Sequence, residues 1–315
     1  MRVRVVQIDG KLPNLALMRI SAHHRGRGDD VVFTRRVTRD LFEYDYDRVY
    51  ASAIFSFSRS RLDRLVREFQ DVICGGTGVD RGLKVEDVLT VGDHELDYSI
   101  YPGFEPSIGF TQRGCRMKCR FCVVPAKEGA NHSVLTVEQI WRGAGHAKKL
   151  LLLDNDFFGQ EHWRERIKEI REGGFKVCLS QGINVRLITD EAAEAMASVE
   201  YRDDQFRRRR LYTAWDNIGD EQRFFDGIDR LNAAGIPSRH VMAYMLVGYD
   251  RRETWDRIFH RFDRMVERGI LPYPMVYDNA RKDLKRFQRW VVTGLYRAVP
   301  FSEYDAGLKA RSMTA

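Results

Sequence analysis

Residues 114–122 read Gly114-Cys115-Arg116-Met117-Lys118-Cys119-Arg120-Phe121-Cys122 and place three thiols within eight positions. Successive cysteines are four and then three residues apart, so one short loop carries all of them. Soft thiolates at such a spacing suit a metal centre better than a disulfide framework. Three ligands can hold three irons of a cubane and leave the fourth open, and an open metal position is what catalysis requires. The stretch therefore predicts a catalytic metal centre on Cys115, Cys119 and Cys122.

The basic neighbours of these cysteines are Arg116, Lys118 and Arg120. We expect them to lower the pKa of the thiols and to offset the negative charge of a bound cluster. A structural zinc site is an alternative, and it requires a fourth ligand. His132, ten residues after the last cysteine, is the nearest candidate. Three unligated core thiols are a further interpretation of the same spacing.

The composition is that of a globular chain with a basic bias. The 315 residues are 43% hydrophobic and 31% charged, which suffices to bury a large core. The net charge is +7, and 41 of the 52 cationic side chains are arginine. A nucleic-acid partner would explain this bias, and so would a GC-rich genome, since the arginines are spread along the chain. Without a secretory signal or about 18 consecutive apolar residues, we expect a cytoplasmic protein with no membrane span.

Strand and helix patterns alternate along the chain and predict an α/β fold with parallel sheets. Residues 1–80 predict a small flavodoxin-like α/β unit, residues 81–106 a linker, residues 107–297 a partial (β/α)6 barrel, and residues 298–315 a loose tail. In the first unit we expect strands at 4–8, 31–33, 49–57 and 71–74, and helices at 15–24 and 60–69. In the barrel we expect strands at 107–112, 149–154, 175–180, 210–215, 239–247 and 271–277, and helices at 136–147, 161–172, 189–198, 219–234, 252–268 and 281–296.

Polar residues follow four of the six predicted barrel strands. The active sites of such barrels lie at the carboxyl ends of the strands, on the loops that follow. Any one of these groups of polar residues, taken alone, is equally well explained as a turn that caps the next helix. Their recurrence after the second, third, fourth and sixth strands predicts a site at the barrel mouth. The sets are Asp154-Asn155-Asp156, Gln181 with Asn184 and Arg186, Trp215-Asp216-Asn217, and Tyr277-Asp278-Asn279.

The Cys-x3-Cys-x2-Cys pattern, with Phe121 just before the last cysteine, resembles the radical S-adenosylmethionine (radical SAM) superfamily. The resemblance covers residues 107–290. It implies a 4Fe-4S cluster on Cys115, Cys119 and Cys122, with the open iron binding the amino and carboxylate groups of SAM. It also implies reductive cleavage of SAM to methionine and a 5′-deoxyadenosyl radical, which abstracts hydrogen from a substrate. A reduced flavodoxin or ferredoxin would supply the electron.

The same resemblance implies a SAM pocket. Phe121 would flank the adenine, and the acceptors at 154–156 stand where the superfamily has a Gly-Gly-Glu stretch that binds the methionine amino group. Residues after the third and fourth strands would meet the ribose, the SAM carboxylate or the substrate, and the end of the fifth strand would lie against adenine. The implied set is Phe121, Asp154, Asn155, Asp156, Gln181, Asn184, Arg186, Asp216 and Val247.

The order of a small α/β unit and then this barrel resembles two groups of the superfamily. One is the cobalamin-binding enzymes, whose cobalamin-binding units often carry Asp-x-His-x-x-Gly with a cobalt-ligating histidine. His23 and His24 lie in a predicted helix and do not fit that motif, so cobalamin-dependent radical methylation is the less favoured alternative. The other is the tRNA methylthiotransferases, which need three further cysteines, and the sequence has only Cys74 and Cys178 to spare.

An alternative of another class is a basic nucleic-acid-binding protein with a structural metal site. The stretch Arg286-Phe287-Gln288-Arg289-Trp290 interleaves basic and aromatic residues, which suits stacking on bases. An amphipathic helix that buries Phe287, Trp290 and Val291 explains the same stretch, and we favour that explanation.

Overall fold

The computed structural model describes residues 1–79, 83–89 and 95–305. The parts of the predicted linker at 81–82 and 90–94, and of the predicted tail at 306–315, lie outside the described residues. Within the described ranges, none of the helices combines the length and apolar composition of a membrane-spanning segment.

The first unit is a parallel sheet flanked by helices. Its elements are β1 (Arg2–Gln7), α1 (Leu15–Gly26), β2 (Asp30–Thr34), β3 (Arg48–Ser52), α2 (Arg59–Glu68) and β4 (Val72–Gly75). The strand order is β2-β1-β3-β4, with every pair parallel. Val3, Val5 and Val6 of the central β1 are fully buried, as expected for a strand covered on both faces. The predicted parallel sheet is confirmed here, although β3 ends at Ser52 rather than near residue 57.

The rest of the chain continues the alternation of strands and helices. Its elements are β5 (Ser107–Gly109), β6 (Gln112–Arg113), α3 (Val124–Glu128), β7 (His132–Ser133), α4 (Val137–Ile140), β8 (Lys149–Leu152), α5 (Trp163–Glu172), β9 (Lys176–Leu179), α6 (Asp190–Ala197), β10 (Glu200–Tyr201), β11 (Leu211–Ala214), α7 (Glu221–Ala233), β12 (Val241–Val247), α8 (Trp255–Glu267), β13 (Leu271–Val276) and α9 (Lys282–Val292). The six predicted barrel strands are therefore all present, as β5, β8, β9, β11, β12 and β13.

The pairing of these strands gives two parallel sheets rather than one continuous ladder. Their orders are β10-β9-β8-β5 and β11-β12-β13. The short strand β10 pairs with the start of β9, at Glu200↔Lys176 and Tyr201↔Val177. Just after β9, the Ile183 amide donates to the Tyr212 carbonyl of β11 at 2.8 Å and links the two sheets. An α/β fold with parallel sheets is thus confirmed, and the barrel itself remains a prediction.

The sheet that contains β8 has a buried core on each face. Leu150 and Leu152 join the large core formed with the helices that follow the strands. Leu151, between them, faces the opposite way and packs in a second core with Val3 and Leu17 of the first unit. This alternation is the two-residue period of a strand. The first unit and the second sheet therefore share a hydrophobic core.

The described part of the predicted linker belongs to this shared core. Tyr98 and Tyr101 pack against it. The Tyr98 hydroxyl accepts from the Ile108 amide at 3.0 Å, and the Tyr101 hydroxyl donates to Gln7 Oε1 at 2.9 Å. The segment is irregular, as predicted, because side-chain anchoring rather than backbone pairing fixes it.

Two boundary predictions are wrong for local reasons. The helix expected at 136–147 is only α4, which Thr136 caps by accepting from the Gln139 amide. It stops at Ile140 because Trp141 adopts an extended conformation with a ψ of 135°, and Gly143 and Gly145 follow at positive φ, so the helix does not continue. The tail is not loose where it is described, since Tyr304 is buried and its carbonyl accepts hydrogen bonds from Arg286 of α9.

Candidate metal centre and active site

The three cysteines lie in a loop that is closed at its base by a short antiparallel pair. Strands β6 and β7 pair at Gln112↔Ser133 and Arg113↔His132. Gly114 starts the loop with a φ of +75°, and a Cβ there would lie 2.1 Å from the Ala130 carbonyl oxygen. Only glycine fits both this backbone conformation and this close approach. The Gly114 amide also donates to Glu128 Oε2 at 3.1 Å, so α3 helps to fix the start of the loop.

One ion pair fastens the loop to the carboxyl end of β8. Arg116 donates to Asp156 through Nε at 2.7 Å and through Nη2 at 2.9 Å, and its backbone amide adds a third bond at 3.2 Å. Asp156 is 1% exposed, so this bidentate contact forms at the edge of the protein interior. The residue after the first cysteine is thereby tied to the segment that follows β8.

The thiols are half-buried and close enough to influence one another. Burial raises the pKa of Cys115 and of Cys122, and the neighbouring cysteines raise both pKa values further. The expectation that basic neighbours lower the pKa of these thiols is therefore wrong for Cys115 and Cys122. Arg116 is engaged by Asp156, while Lys118 and Arg120 are exposed. Metal binding here must displace thiol protons.

The cysteine loop supplies soft donors of the kind that metal centres use. In the described part of the chain, no three His, Cys, Asp or Glu side chains converge as ligands of one ion. The zinc candidate His132 is exposed, and its Nδ1 lies 2.9 Å from the Ala130 carbonyl oxygen. Thiolates are the usual ligands of iron–sulfur clusters, so the three cysteines fit such a group.

Cys119 opens onto a cavity of about 1080 Å³. Phe121 lines it from the cysteine loop, Arg186 from the segment after β9, and Asp216 from the segment after β11. The Arg186 guanidinium donates to Asp220 Oδ2 at 2.7 Å, and Asp220 together with the nearby Cys119 thiol raises the pKa of Arg186. Four of the residues predicted for one site, the three just named and Cys119, are therefore brought together.

An aromatic wall closes one side of this cavity. The Phe121 and Tyr249 rings meet edge to face with centroids 5.4 Å apart, and Tyr249 meets Tyr277 in the same way at 4.9 Å. Tyr249 follows β12 and Tyr277 follows β13, so both occupy the carboxyl ends of strands. Sequence analysis placed Tyr277 at the predicted barrel mouth but did not assign Tyr249 to the site, although its position after a strand was the available signal.

Asp154 requires a correction, because it does not face the cavity. It is fully buried, and its Oδ1 accepts from the amides of Thr111 at 2.8 Å and Gln112 at 3.2 Å. Its other oxygen bonds the Thr111 hydroxyl. Burial raises the pKa of Asp154 to about 7. These bonds turn the chain between β5 and β6, which is why the strand predicted at 107–112 breaks. The structure gives Asp154 a structural role and not SAM contact.

The other acceptors after β8 also have partners of their own. Asp156 is engaged by Arg116, as described above. The Asn155 side-chain amide donates to Glu128 Oε2 at 2.8 Å. Glu128 thus accepts from both Asn155 and Gly114, and sequence analysis missed it because α3 was not predicted. The run 154–156 therefore holds the cysteine loop in place, which corrects its assignment to the methionine amino group.

Three further predicted residues lie outside the lining of the cavity. Val247 is fully buried in the main core. Gln181 is exposed and does not line the cavity. Asn184 Oδ1 accepts from Arg186 Nε at 3.2 Å and so supports a residue that does line the cavity. The structure thus places Val247 in the core, Gln181 at the surface and Asn184 beside Arg186, and a contact of these residues with SAM stays a prediction.

A buried arginine holds the strand ends under the cavity. Arg261 of α8 is 1% exposed and donates to the carbonyls of Trp215 at 3.0 Å, Asp216 at 3.1 Å and Leu246 at 3.0 Å. It also pairs with Glu253, whose second oxygen accepts from the Gly248 amide at 2.7 Å. The carboxyl ends of β11 and β12 and the turn after β12 are therefore fixed by one guanidinium.

In the first unit, Asp9 and His24 are the side chains to consider for ligand binding near the switch point between β1 and β3, and both are engaged by other residues. The Asp9 carboxylate accepts from the Ile54 amide at 2.7 Å and the Phe55 amide at 3.1 Å. His24 lies in α1, as predicted, and both of its ring nitrogens are engaged, by Asp29 at 2.7 Å and by the Tyr50 hydroxyl at 3.1 Å. This histidine is therefore not free to ligate cobalt.

The stretch 286–290 is part of α9, and its aromatic rings face inward. Phe287 is fully buried and Trp290 is 5% exposed. They cannot stack on bases, so the amphipathic-helix interpretation is confirmed.

Comparison with protein families, with curated proteins and with solved structures finds no match to this chain.

Proposed function

We propose that the protein is a radical SAM enzyme whose cavity beside Cys119 binds SAM and a substrate. In this proposal Cys115, Cys119 and Cys122 hold one 4Fe-4S cluster. The observation that carries it is the position of the cysteine loop. A three-thiol loop of catalytic spacing opens, through Cys119, into a large cavity formed by the ends of several parallel strands.

The size of the cavity suits a ligand as large as SAM. Ligand pockets commonly measure about 300–1,000 Å³. At about 1080 Å³ the cavity lies at the upper end of that range.

When bound, the cluster and SAM supply the electron transfer and carbon–sulfur cleavage that yield a 5′-deoxyadenosyl radical. The residues of the chain bind and orient. Arg186, held by Asn184 and Asp220, places its positive charge against the Cys119 sulfur. Phe121 and Tyr249 provide an apolar face for a planar ring, and burial raises the pKa of Asp216, which accepts from the Leu246 amide at 2.8 Å.

The fold that accompanies this proposal is a partial (β/α)6 barrel. β5, β8, β9, β11, β12 and β13 are parallel in their sheets and are separated by helices. The hydrogen bond from Ile183 to Tyr212 supports continuity between the two sheets. A cytoplasmic, reducing location and an electron donor such as flavodoxin or ferredoxin complete the proposal. Cobalamin-dependent methylation remains the less favoured alternative, because Asp9 already engages the amides at the end of β3.

Anaerobic reconstitution with iron and sulfide tests the cluster. We expect a brown protein with about four irons per chain, lost in the variant with Cys115, Cys119 and Cys122 all changed to alanine. Cys74→Ala and Cys178→Ala are the matched controls and should retain the iron, since both thiols lie outside the loop. A colourless wild-type protein that holds one zinc would contradict the proposal.

A further inference from the structure

The lining of the cavity is unusually basic. Seven of its 20 lining residues are lysine or arginine, against 52 of 315 in the chain. Four lining residues are acidic. SAM does not account for this excess, because its ammonium and sulfonium groups outnumber its single carboxylate. A cavity with this lining favours a ligand that brings additional negative charge.

The cations fall into groups with different tasks. Arg186 and Arg261 are engaged by Asp220 and Glu253 and are part of the framework. Lys118 and Arg120 flank Cys119 in sequence, where a thiolate-bound cluster would balance them. Of the remaining three, Arg251 and Arg252 lie in the turn after β12 and Arg257 lies in the first turn of α8, and none of them has such an assignment.

These three arginines are available for a ligand. Arg251 has no hydrogen bond or ion pair with any residue that the structure describes. Arg252 Nε is 3.9 Å from Asp250 Oδ1, and its side chain is 89% exposed. The Arg257 guanidinium has one long hydrogen bond, 3.5 Å, to the Arg252 carbonyl. Guanidinium groups left free around one cavity suit the bidentate binding of phosphate.

The turn after β12, which carries Arg251 and Arg252, is held rigidly at its base. The Gly248 amide donates to Glu253, the Glu253 amide donates to the Asp250 carbonyl at 3.0 Å, and Glu253 is paired with the buried Arg261. Ordering this turn therefore costs little when a ligand binds. The neighbouring Tyr277 is 55% exposed and offers a ring on which a base can stack.

We propose that the substrate presents a nucleotide unit, with its phosphate on Arg251, Arg252 and Arg257 and its base against Tyr277. Only the claim that this nucleotide belongs to the substrate rests on the proposed function, since the binding chemistry belongs to the described residues. The nucleotide comes either as a free molecule or within a single-stranded nucleic acid, and the two sources share this chemistry.

Calorimetry with uridine 5′-monophosphate, uridine and a ten-residue oligouridylate tests the inference on the full chain, both as purified and after reconstitution. A pyrimidine probe avoids competition for an adenine subsite. We expect the monophosphate to bind at least tenfold more tightly than uridine. Replacement of Arg251 and Arg252 by glutamine should weaken monophosphate binding about tenfold or more, because contacts between ionic groups are strong. The matched control is Arg207→Gln with Arg208→Gln, two exposed neighbouring arginines outside the cavity.

The outcomes are separable. Tighter binding of the oligouridylate than of the monophosphate identifies nucleic acid as the source. The slope of log K against log salt concentration should then become shallower by roughly 0.7 for each phosphate contact that a substitution removes. Tighter binding of the monophosphate identifies a free nucleotide. Equal binding of uridine and its monophosphate, or unchanged binding by the Arg251 and Arg252 variant, would overturn the inference. Because phosphate binding is read without SAM or turnover, an absent cluster would refute the proposed function and leave this result standing.

Discussion

Arg116 is the residue on which the placement of the cysteine loop most depends. Its guanidinium makes a bidentate contact with the buried Asp156 and so fixes the residue beside Cys115. Removal of one partner of a buried pair costs about 3–5 kcal/mol. The Arg116 side chain is 38% exposed, so water screens part of that cost. We expect Arg116→Ala to lower the free energy of unfolding by about 2 kcal/mol, a value between those of buried and exposed ion pairs. Urea unfolding measures this change. The variant should also take up less iron.

Arg120→Ala is the control for that substitution. Arg120 lies in the same loop, is exposed, and has no hydrogen bond or ion pair among the residues described. Its removal should change stability by less than about 0.5 kcal/mol, as for ordinary surface positions. If the two variants proved equally stable and took up equal iron, the anchoring role of Arg116 would be refuted.

Asp154 predicts a pH dependence of stability. Its pKa is about 7 in the folded chain because of burial, against 3.8 for an ordinary aspartate. The folded state thus holds a proton that the unfolded state releases, so stability falls as pH rises from about 4 to about 7. The loss is at most about 4 kcal/mol at about 1.4 kcal/mol per pKa unit.

Asp154→Asn tests this assignment. The amide can keep one oxygen for the Thr111 and Gln112 amides and turn its NH2 to the Thr111 oxygen. Unfolding free energies from pH 4 to pH 7.5 should decline less steeply in the variant than in the wild type. Parallel pH profiles would show that Asp154 does not titrate in this range.

The acceptors at 154–156 show what sequence alone can and cannot settle at this scale. The end of a strand and the presence of three polar residues are readable from the pattern. The direction of each side chain is not, because it depends on partners far along the chain. Thr111 is 43 residues from Asp154, and Arg116 is 40 from Asp156. The cysteines were recognisable because all three ligands lie in one local stretch.

Among the elements, α8 matters most for stability, because its residue Arg261 binds the carboxyl ends of β11 and β12. Arg261→Met should lower the free energy of unfolding by about 3–5 kcal/mol, since it leaves three carbonyls and Glu253 without their donor. Thermal or urea unfolding measures the change. We also expect weaker SAM binding, because the turn after β12 loses its support.

Arg264→Met is the matched control on the same helix. Arg264 is 40% exposed and pairs with Glu221 and Glu267 at the surface. Its loss should cost at most about 1 kcal/mol. Similar destabilisation by both variants would show that the buried contacts of Arg261 carry no special weight.

Most helices and strands were predictable because their apolar spacing reports directly on burial. The exceptions have specific causes. α4 is cut short because Trp141 is extended and glycines at positive φ follow, and β3 ends early because Asp9, 45 residues away, binds the Ile54 amide. The strand pattern also could not show that β10 would occupy part of the edge of β9. Such competition for a sheet edge depends on the assembled fold.

At the scale of the whole molecule, the first unit and the second sheet share one core, and the cavity lies where strand ends and the cysteine loop meet. This arrangement places the chemistry-bearing loop beside ordered strands rather than in a free segment. The proposed catalytic centre therefore depends on the cysteine loop and on residues from 186 to 277 alike.

The most direct test of this account is the formation of 5′-deoxyadenosine. The protein is reconstituted anaerobically with iron and sulfide, then given dithionite and SAM, and the nucleoside is assayed. We predict that the wild type and Cys178→Ala form it and that Cys119→Ala does not. Absence of 5′-deoxyadenosine from a wild-type protein loaded with four irons, or its formation by the variant lacking all three loop cysteines, would contradict the radical SAM assignment.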